Sequence, residues 1–214
     1  MNLDSFAPPL VAILRGLPPA DAPSIGATLF AAGFRLLEVP LNRPGALEAI
    51  AALARIAPEG ALVGGGTILS PADVDAVKAA GGRMFVSPHC DQELIRYAHA
   101  AGMLCLPGVA TPSEAFAALR AGAHGLKLFP AESIGYAGLR ALKTVLPPGT
   151  AVWPVGGVRP EHMGEWVAAG ATGFGIGSAL YQPGMAAADL APVARRYIEA
   201  WNTAQAGAGP NLKD

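Results

Sequence analysis

The stretch Ala121-Gly122-Ala123-His124-Gly125-Leu126-Lys127-Leu128-Phe129 contains the unit from which this chain is built. An alanine-rich segment ends at Gly122, which is placed like a helix C-terminal glycine, where only a residue without a side chain takes the left-handed conformation cheaply. The apolar run 126–129 follows, and such brief runs suit strands buried on both faces of a parallel sheet. The unit therefore predicts a helix, a tight turn and a buried strand.

The same unit recurs at regular intervals along the 214 residues. Glycines in the equivalent position are Gly33, Gly60, Gly81, Gly102, Gly122, Gly149 and Gly170. Short apolar runs follow them at 34–39, 61–63, 84–86, 103–106, 126–129, 151–155 and 174–176, and an eighth run, 10–14, opens the chain. Eight strands alternating with helices in a chain of this length predict an α/β fold, a single-domain (β/α)8 TIM barrel.

A doubly wound open sheet is the competing fold, because it shares this alternation. It would have five or six strands, with a glycine-rich fingerprint after the first. The first strand here ends in Arg15-Gly16-Leu17-Pro18, which is no such fingerprint. We therefore predict a barrel over residues 1–203, and a flexible C-terminal tail over residues 204–214.

Composition and charge exclude several classes of protein. Hydrophobic residues make up 52% of the chain and charged residues 14%, which provides for a large core and argues against extensive disorder. A net charge of -1 gives no reason to expect a nucleic acid or a membrane surface as partner. Residues 1–9 lack the pattern of a secretory signal. No uncharged apolar stretch reaches about 18 residues, so the expectation is a soluble cytoplasmic protein.

Glycine-rich turns end the seventh and eighth predicted strands, where barrels of this type usually bind phosphate. The two turns are Val155-Gly156-Gly157-Val158 and Gly175-Ile176-Gly177-Ser178. Bare backbone N–H groups and the positive end of a following helix attract a phosphate, and Ser178 can add a hydroxyl donor. The alternative is that the turns need glycine for their shape alone. We predict a phosphate site formed by both turns.

Lys127 is a single charged residue within an apolar strand. Burial lowers the pKa of a lysine and makes it an amine nucleophile able to form a Schiff base. Strand alternation puts Lys127 and Phe129 on the interior face, and Glu38 is placed similarly near the end of the second strand. Arg15, on the adjacent strand, can hold a carboxylate through two hydrogen bonds. Lys127 and Glu38 are therefore predicted as nucleophile and general acid/base; a buried ion pair without chemistry, or a lysine that reaches solvent, is the alternative.

No metal or cofactor site is predicted. The two cysteines, Cys90 and Cys105, have no metal-ligand spacing. The four histidines appear scattered along the sequence, with His89 alone near the predicted mouth of the barrel. A nucleophilic lysine without a metal means class I chemistry, in which the lysine itself forms the Schiff base.

These residues resemble those of the bacterial class I aldolases that cleave 2-keto-3-deoxy-6-phospho sugar acids. The resemblance spans residues 10–181 and rests on the motifs Ala12-Ile13-Leu14-Arg15-Gly16, Gly65-Gly66-Thr67, Pro107-Gly108, Leu126-Lys127-Leu128-Phe129-Pro130, Gly156-Gly157 and Gly177-Ser178. It implies Lys127 as the Schiff-base lysine and Glu38 as the general acid/base. It also implies that Arg15 and Thr67 hold the pyruvate-derived carboxylate and that Phe129 lies beside the substrate. Gly156, Gly157 and Ser178 would surround the phosphate, and the assembly would be a homotrimer.

Two branches of this family act on epimers, the 6-phosphogluconate and 6-phosphogalactonate forms. The segments Glu38-Val39-Pro40-Leu41-Asn42-Arg43-Pro44 and Val155-Gly156-Gly157 are similar to the galactonate branch, in which Val155 replaces a hydroxyl-bearing residue. The resemblance thus implies cleavage of the galactonate form to pyruvate and glyceraldehyde 3-phosphate, with some activity on the other epimer. Ser87-Pro88-His89-Cys90 departs from the Thr-Pro-Asn that is usual in this branch. A phosphosugar isomerase or synthase and a non-catalytic phosphometabolite-binding barrel remain the alternatives, because a fold does not fix a function.

Overall fold

Parallel strands alternate with helices in the structure, a computed structural model that describes residues 3–207, with only the backbone of Asp4. The strands are β1 Leu10–Ile13, β2 Leu36–Pro40, β3 Leu62–Gly66, β4 Met84–Val86, β5 Leu104–Leu106, β6 Gly108–Val109, β7 Leu126–Leu128, β8 Val152–Pro154 and β9 Phe174–Ile176. The α-helices are α1 Ala22–Ala32, α2 Ala46–Ile56, α3 Pro71–Ala79, α4 Gln92–Ala100, α5 Pro112–Arg120, α6 Ala131–Lys143, α7 Met163–Ala168 and α8 Ala187–Gly207. Two 3-10 helices, Leu3–Ser5 and Pro160–His162, complete the order.

The strands close into the predicted (β/α)8 barrel. One run of parallel pairing joins β5-β4-β3-β2-β1-β9 and a second joins β6-β7-β8. β5 and β6 are two pieces of the fifth predicted strand, interrupted by Pro107, which has no N–H to donate to a neighbour. Its carbonyl still accepts a hydrogen bond from the backbone N–H of Lys127 at 2.9 Å. A single bridge between Val155 and Gly175 links the end of β8 to β9.

The helix ends follow the sequence pattern. All seven repeat glycines have positive φ values, between 77° and 113°, as the helix-end prediction requires. Thr111 begins α5 with a reciprocal capping box to Glu114, and the Ser70 side chain accepts the first-turn N–H of Asp73 in α3. These caps satisfy backbone groups that a helix terminus leaves without partners.

Two apolar layers lie on either side of the strands. The layer inside the barrel contains Val11, Ile13, Leu36, Leu62, Met84, Val86, Leu104, Leu106, Trp153 and Val155, with Leu3 and Phe6. The larger layer fills the space between strands and helices and includes Leu126, Leu128, Leu37 and Val39. Strand alternation therefore turns Lys127 and Glu38 inward, since their neighbours on both sides belong to the outer layer.

The apolar run at 61–63 continues in β3 through the glycines at 64–66. The structure differs from the sequence predictions at the C-terminal end of the described chain. The tail predicted from residue 204 is wrong at its start: α8 continues to Gly207, because alanine and glutamine favour helix and Ala204 packs on the core. The rest of that predicted tail, 208–214, lies outside the described residues. Within residues 3–207, no helix has both the length and the hydrophobicity needed to cross a membrane.

Candidate active site

Lys127 and Glu38 face a small cavity inside the barrel. Lys127 is 9% exposed and Glu38 2% exposed, and the cavity between them is otherwise walled by Val11, Ile13, Val86, Leu106, Trp153, Val155 and Gly175. Lys127 lies on β7 between Gly108 of β6 and Trp153 of β8, and Glu38 lies on β2 opposite Ile13 of β1. In the described part of the chain the two side chains make neither a hydrogen bond nor an ion pair within 4 Å. Both groups are thus available to a ligand.

Burial shifts both of these groups towards their neutral forms. Desolvation raises the pKa of Glu38 above its ordinary value, although the positive charges of Lys127 and Arg15 oppose this. Desolvation lowers the pKa of Lys127, opposed by Glu38 and reinforced by Arg15. A lowered pKa favours the free amine form of a lysine, and a raised pKa makes a carboxyl group a better proton acceptor.

The glycines of β3 make room for Glu38. A methyl group on Gly66 would coincide with the Glu38 carboxyl group, so no side chain fits there while Glu38 keeps its position. Thr67, which follows, is half-buried and has a φ of 53°, a left-handed conformation that costs a residue with a side chain about 1–3 kcal/mol. This strained residue lies directly beside the glycine that accommodates Glu38.

A larger cavity of about 710 Å³ opens above Lys127 at the carboxyl ends of the strands. Ile13, Val155 and Gly175 line both cavities, so the small one forms the floor of the large one. The predicted residues Arg15, Phe129, Val155, Gly156, Gly157, Gly177 and Ser178 all line this mouth cavity. Thr67 lies outside the walls of both cavities, in contrast to the other predicted residues.

Phe129 and Arg15 are held at the entrance. The Phe129 ring is 36% exposed, and its centroid lies 4.8 Å from Lys127 Nζ, within the range of a cation–π contact. Arg15 donates a hydrogen bond from Nη1 to Asn42 Oδ1 at 2.8 Å. Asn42 thereby fixes one edge of the guanidinium and leaves the rest available for an anion.

The two glycine turns line the same cavity. Gly156 and Gly157 have φ values of 113° and 66°, and Gly177 has open space where a side chain would begin. After the Gly156-Gly157 turn, β8 is followed by the 3-10 helix Pro160–His162 and the six-residue α7. The turns therefore offer mainly backbone N–H groups and the Ser178 hydroxyl.

Comparison with known proteins connects this site with a family. The family model for KDPG and KHG aldolase matches residues 7–195. The chain belongs to the KDPG and KHG aldolase family. It is therefore an aldolase, a carbon–carbon lyase.

Two curated relatives and one solved structure extend the comparison. A probable 2-dehydro-3-deoxy-6-phosphogalactonate aldolase of Rhizobium meliloti (strain 1021) is 42% identical, over 93% of this aldolase and 94% of its own length. A 2-dehydro-3-deoxy-6-phosphogalactonate aldolase of Escherichia coli (strain K12) is 42% identical, over 92% and 96%. A structure described as native KDPGal, 42% identical, superposes with a TM-score of 0.91 over 94% of this chain and 97% of that one.

The loop Ser87-Pro88-His89-Cys90 differs in sequence from the Thr-Pro-Asn that is usual in the galactonate branch. Its side chains form hydrogen bonds within the protein. Ser87 Oγ donates to the His89 carbonyl at 2.7 Å, and Cys90 Sγ donates to the Glu114 carbonyl at 3.3 Å. Gly108 is needed beneath it, because a methyl group there would strike the backbone of Pro88 and His89. The loop is therefore a packed wall beside β6, with the His89 side chain exposed.

Two of the histidines that appear scattered in the sequence are in contact in the aldolase. The His99 and His124 rings stack with centroids 5.2 Å apart, and the Cys105 thiol lies close by. Each ring is already engaged: His99 Nδ1 lies 2.8 Å from the Gly122 carbonyl, and His124 Nδ1 accepts the Cys105 backbone N–H at 3.0 Å. Burial, with His99 contributing, lowers the pKa of His124 to about 4, so this ring stays neutral. The cluster lies where β7 begins, away from the mouth.

Sequence reasoning missed three residues that line the cavities of the aldolase. Arg43 and Arg159 line the mouth, and Trp153, 2% exposed, lines the small cavity from the strand next to that of Lys127. The signal for Arg159 was its place directly after the Gly156-Gly157-Val158 turn. Trp153 was hidden within an apolar run, where nothing separates an interior side chain from an outer one except strand alternation.

Proposed function

We propose that this protein is a class I aldolase that cleaves 2-dehydro-3-deoxy-6-phosphogalactonate to pyruvate and D-glyceraldehyde 3-phosphate. The observation that carries the proposal is the pair of buried groups, Lys127 and Glu38, in one cavity beneath a mouth rich in arginine and glycine. The names of the two 42% identical relatives support the choice of substrate. No cofactor enters the proposed reaction.

The first step joins the substrate to Lys127. The neutral amine attacks the C2 ketone and gives a carbinolamine, which loses the ketone oxygen as water to form an iminium ion. The apolar walls and the Trp153 ring favour the uncharged amine that this attack requires. Arg15, with its guanidinium steadied by Asn42, pairs with the substrate carboxylate, and Thr67 is its proposed companion in this role.

The second step breaks the C3–C4 bond. Glu38, directly or through a water molecule, takes the proton of the C4 hydroxyl group, and the bonding electrons move into the iminium ion to form an enamine. Glyceraldehyde 3-phosphate leaves as the aldehyde. Glu38 then returns a proton to C3, and hydrolysis of the new iminium ion releases pyruvate and free Lys127.

The far end of the substrate is assigned to the glycine turns. Gly156, Gly157, Gly177 and Ser178 would bind the phosphate through backbone N–H groups and one hydroxyl, and Phe129 would cover the carbon chain. Val155 offers no hydrogen bond at the position where the two epimers differ. A site without a polar partner discriminates weakly, so the 6-phosphogluconate epimer should also be cleaved, more slowly.

Borohydride trapping tests the proposal directly. Incubation with pyruvate and borohydride should reduce the iminium ion and add the mass of the reduced pyruvate unit to the peptide that contains Lys127. Lys127→Ala should abolish the adduct and lower turnover at least about a thousandfold. Lys78→Ala is the matched control, because Lys78 Nζ donates to the Ala101 carbonyl at 2.9 Å on the outside of the barrel, and this variant should trap pyruvate normally.

The rival functions give different results in the same experiments. A phosphosugar isomerase or synthase would form no covalent adduct with pyruvate, and a binding protein would take up the sugar acid without releasing pyruvate. Coupling to lactate dehydrogenase, with both epimers assayed side by side, measures that release. An adduct that persists in Lys127→Ala would remove this lysine from the mechanism.

We also propose that the aldolase is a homotrimer that works in the cytoplasm. The family resemblance supports the trimer, and the charged phosphorylated substrate, which does not cross membranes unaided, supports the location. Light scattering after size-exclusion chromatography should give three times the mass of one chain. A monomer or dimer would refute the first part, and recovery outside the cytoplasmic fraction the second.

A further inference from the structure

The mouth cavity carries a strong positive charge. Three guanidinium groups, those of Arg15, Arg43 and Arg159, are among its lining residues, and no carboxylate of the described residues lines it. The proposed substrate carries a carboxylate at one end and a phosphate at the other. Arg15 is assigned to the substrate carboxylate, so the positively charged group that binds the phosphate must be a different residue.

Arg159 lies on the phosphate side of the mouth. It follows the Gly156-Gly157-Val158 turn, and it also lines a neighbouring hollow of about 390 Å³ together with Ser178 and Gln182. Arg159 therefore touches the surroundings of both glycine turns. Arg43 lies elsewhere, since its Cγ is 3.9 Å from the position of a methyl group on Gly16.

The described residues offer the guanidinium of Arg159 no competing partner. Among residues 3–207 it makes neither a hydrogen bond nor an ion pair, whereas Arg196 on the same hollow pairs with Glu161 at 2.6 Å. An arginine that lines a cavity without an internal partner keeps its fork of donors for a ligand.

The glycine turns need this additional charge. The Glu132 carboxylate lies against Gly156, at the place where a side chain on that glycine would begin, and it would repel a phosphate there. The short 3-10 turn and α7 after β8 supply no long helix to offset it. If backbone N–H groups were the only donors, they would have to bind the phosphate beside the negative charge of Glu132.

We propose that Arg159 is a phosphate-binding residue, which adds a charge-assisted contact to the one formed by the two glycine turns. The inference rests on the proposed function, because it assumes a substrate phosphate at these turns. It predicts that Arg159 affects the phosphorylated half of the substrate selectively, and not the chemistry at Lys127.

Aldol addition, the reverse of cleavage, allows the phosphorylated half of the substrate to be varied while pyruvate stays the same. Wild type and Arg159→Gln are assayed with pyruvate and either D-glyceraldehyde 3-phosphate or unphosphorylated D-glyceraldehyde. Arg159→Gln should raise KM for the phosphorylated aldehyde about 10- to 100-fold, as expected for the loss of one charge-assisted hydrogen-bonding group. KM for glyceraldehyde and the borohydride trapping of pyruvate should change less than about twofold. Arg159→Lys should recover part of the loss, since it restores charge without the fork.

Arg196→Gln is the matched control, because it removes an arginine from the same hollow that already has a partner. It should leave KM for both aldehydes unchanged. Three outcomes would overturn the proposal: no change in Arg159→Gln, an equal rise for both aldehydes, or an equal loss in Arg196→Gln. Calorimetric binding of inorganic phosphate to wild type and Arg159→Gln gives the same test without turnover, so it decides the role of Arg159 even if pyruvate trapping fails and the proposed function falls.

Discussion

At the scale of single residues, Lys127 and Glu38 each oppose the effect of burial on the pKa of the other. The negative Glu38 raises the pKa of Lys127, while burial lowers it by more. Without Glu38, the pKa of Lys127 should therefore fall further. The two groups are coupled, so a change in one is measured at the other.

Glu38→Gln should separate Schiff-base formation from cleavage. The variant keeps the Lys127 amine, so borohydride trapping of pyruvate should persist, while cleavage should fall about a hundredfold to ten-thousandfold for lack of the acid/base group. The pH at which trapping reaches half its maximal rate should move to lower values, because the charge that raised the pKa of Lys127 is gone. Trapping rates across a pH series measure this shift.

Glu161→Gln serves as the comparison for this experiment. Glu161 is exposed and paired with Arg196, so the trapping profile of this variant should match that of wild type. A midpoint that stays in place or rises in Glu38→Gln would contradict the coupling. Cleavage at the wild-type rate would remove Glu38 from the mechanism.

The sequence predicted Lys127 and Glu38 more readily than Arg159. A charged residue within a short apolar strand has few physical explanations, and strand alternation then gives its direction. Arg43 and Arg159 are on loops, where polar residues are common and no periodicity indicates direction. Only the closed barrel brings these loops around one cavity.

At the scale of elements, β3 positions the acid/base group through a missing side chain. Gly66→Ala should push the Glu38 carboxyl group from its place, since the added methyl would coincide with it. A displacement of about 1 Å can cost roughly a hundredfold in rate, so kcat for cleavage should fall by about that factor while pyruvate trapping continues. Steady-state kinetics and trapping together check this.

Gly164→Ala is the control for the glycine substitution. A methyl group at Gly164 in α7 meets nothing within 4 Å, and the variant should keep wild-type kinetics. Equal kcat in Gly66→Ala and wild type would show that Glu38 does not need its present position.

The end of β8 is expected to influence the choice of epimer. Val155→Thr places a hydroxyl group in the mouth, where it can pair with a substrate hydroxyl. The ratio of kcat/KM for the gluconate over the galactonate epimer should rise about tenfold. Val155→Ala changes the size without adding a hydroxyl and should shift this ratio by less; a larger shift in Val155→Ala would attribute the preference to volume.

The elements themselves were largely predictable, because glycine marks each helix end by a backbone requirement. The glycines at 64–66 are part of β3, because the parallel neighbour β2 pairs with the strand along its length. The predicted start of the tail was wrong: residues 204–207 continue α8, because Ala204 has an apolar surface to pack against.

At the scale of the whole molecule, the number of repeats determines the fold. Eight units of helix and strand close on themselves, and closure places the ends of β2, β7, β8 and β9 around one opening. The repeat was visible in the sequence. The pairing that closes it was not, since it is made between strands distant along the chain.

That closure is uneven. Most neighbouring strands share a ladder of parallel pairs, but β8 and β9 are joined by one bridge, Val155 to Gly175, and by the contacts of Thr172 with Val152 at 3.1 Å. The glycine turns that flank the proposed phosphate site rise from these two strands. A phosphate bound across both turns would therefore connect β8 and β9, the neighbouring strands that share a single bridge.

Bound phosphate should therefore stabilise the folded barrel and the pairing between β8 and β9. Saturating phosphate at a hundred times its Kd should stabilise the fold by about 2.7 kcal/mol, and hydrogen–deuterium exchange should slow first in segments 152–158 and 172–178. Uniform slowing across β1 to β4 would contradict this. Release of the phosphorylated product should then be accompanied by faster exchange in these two segments.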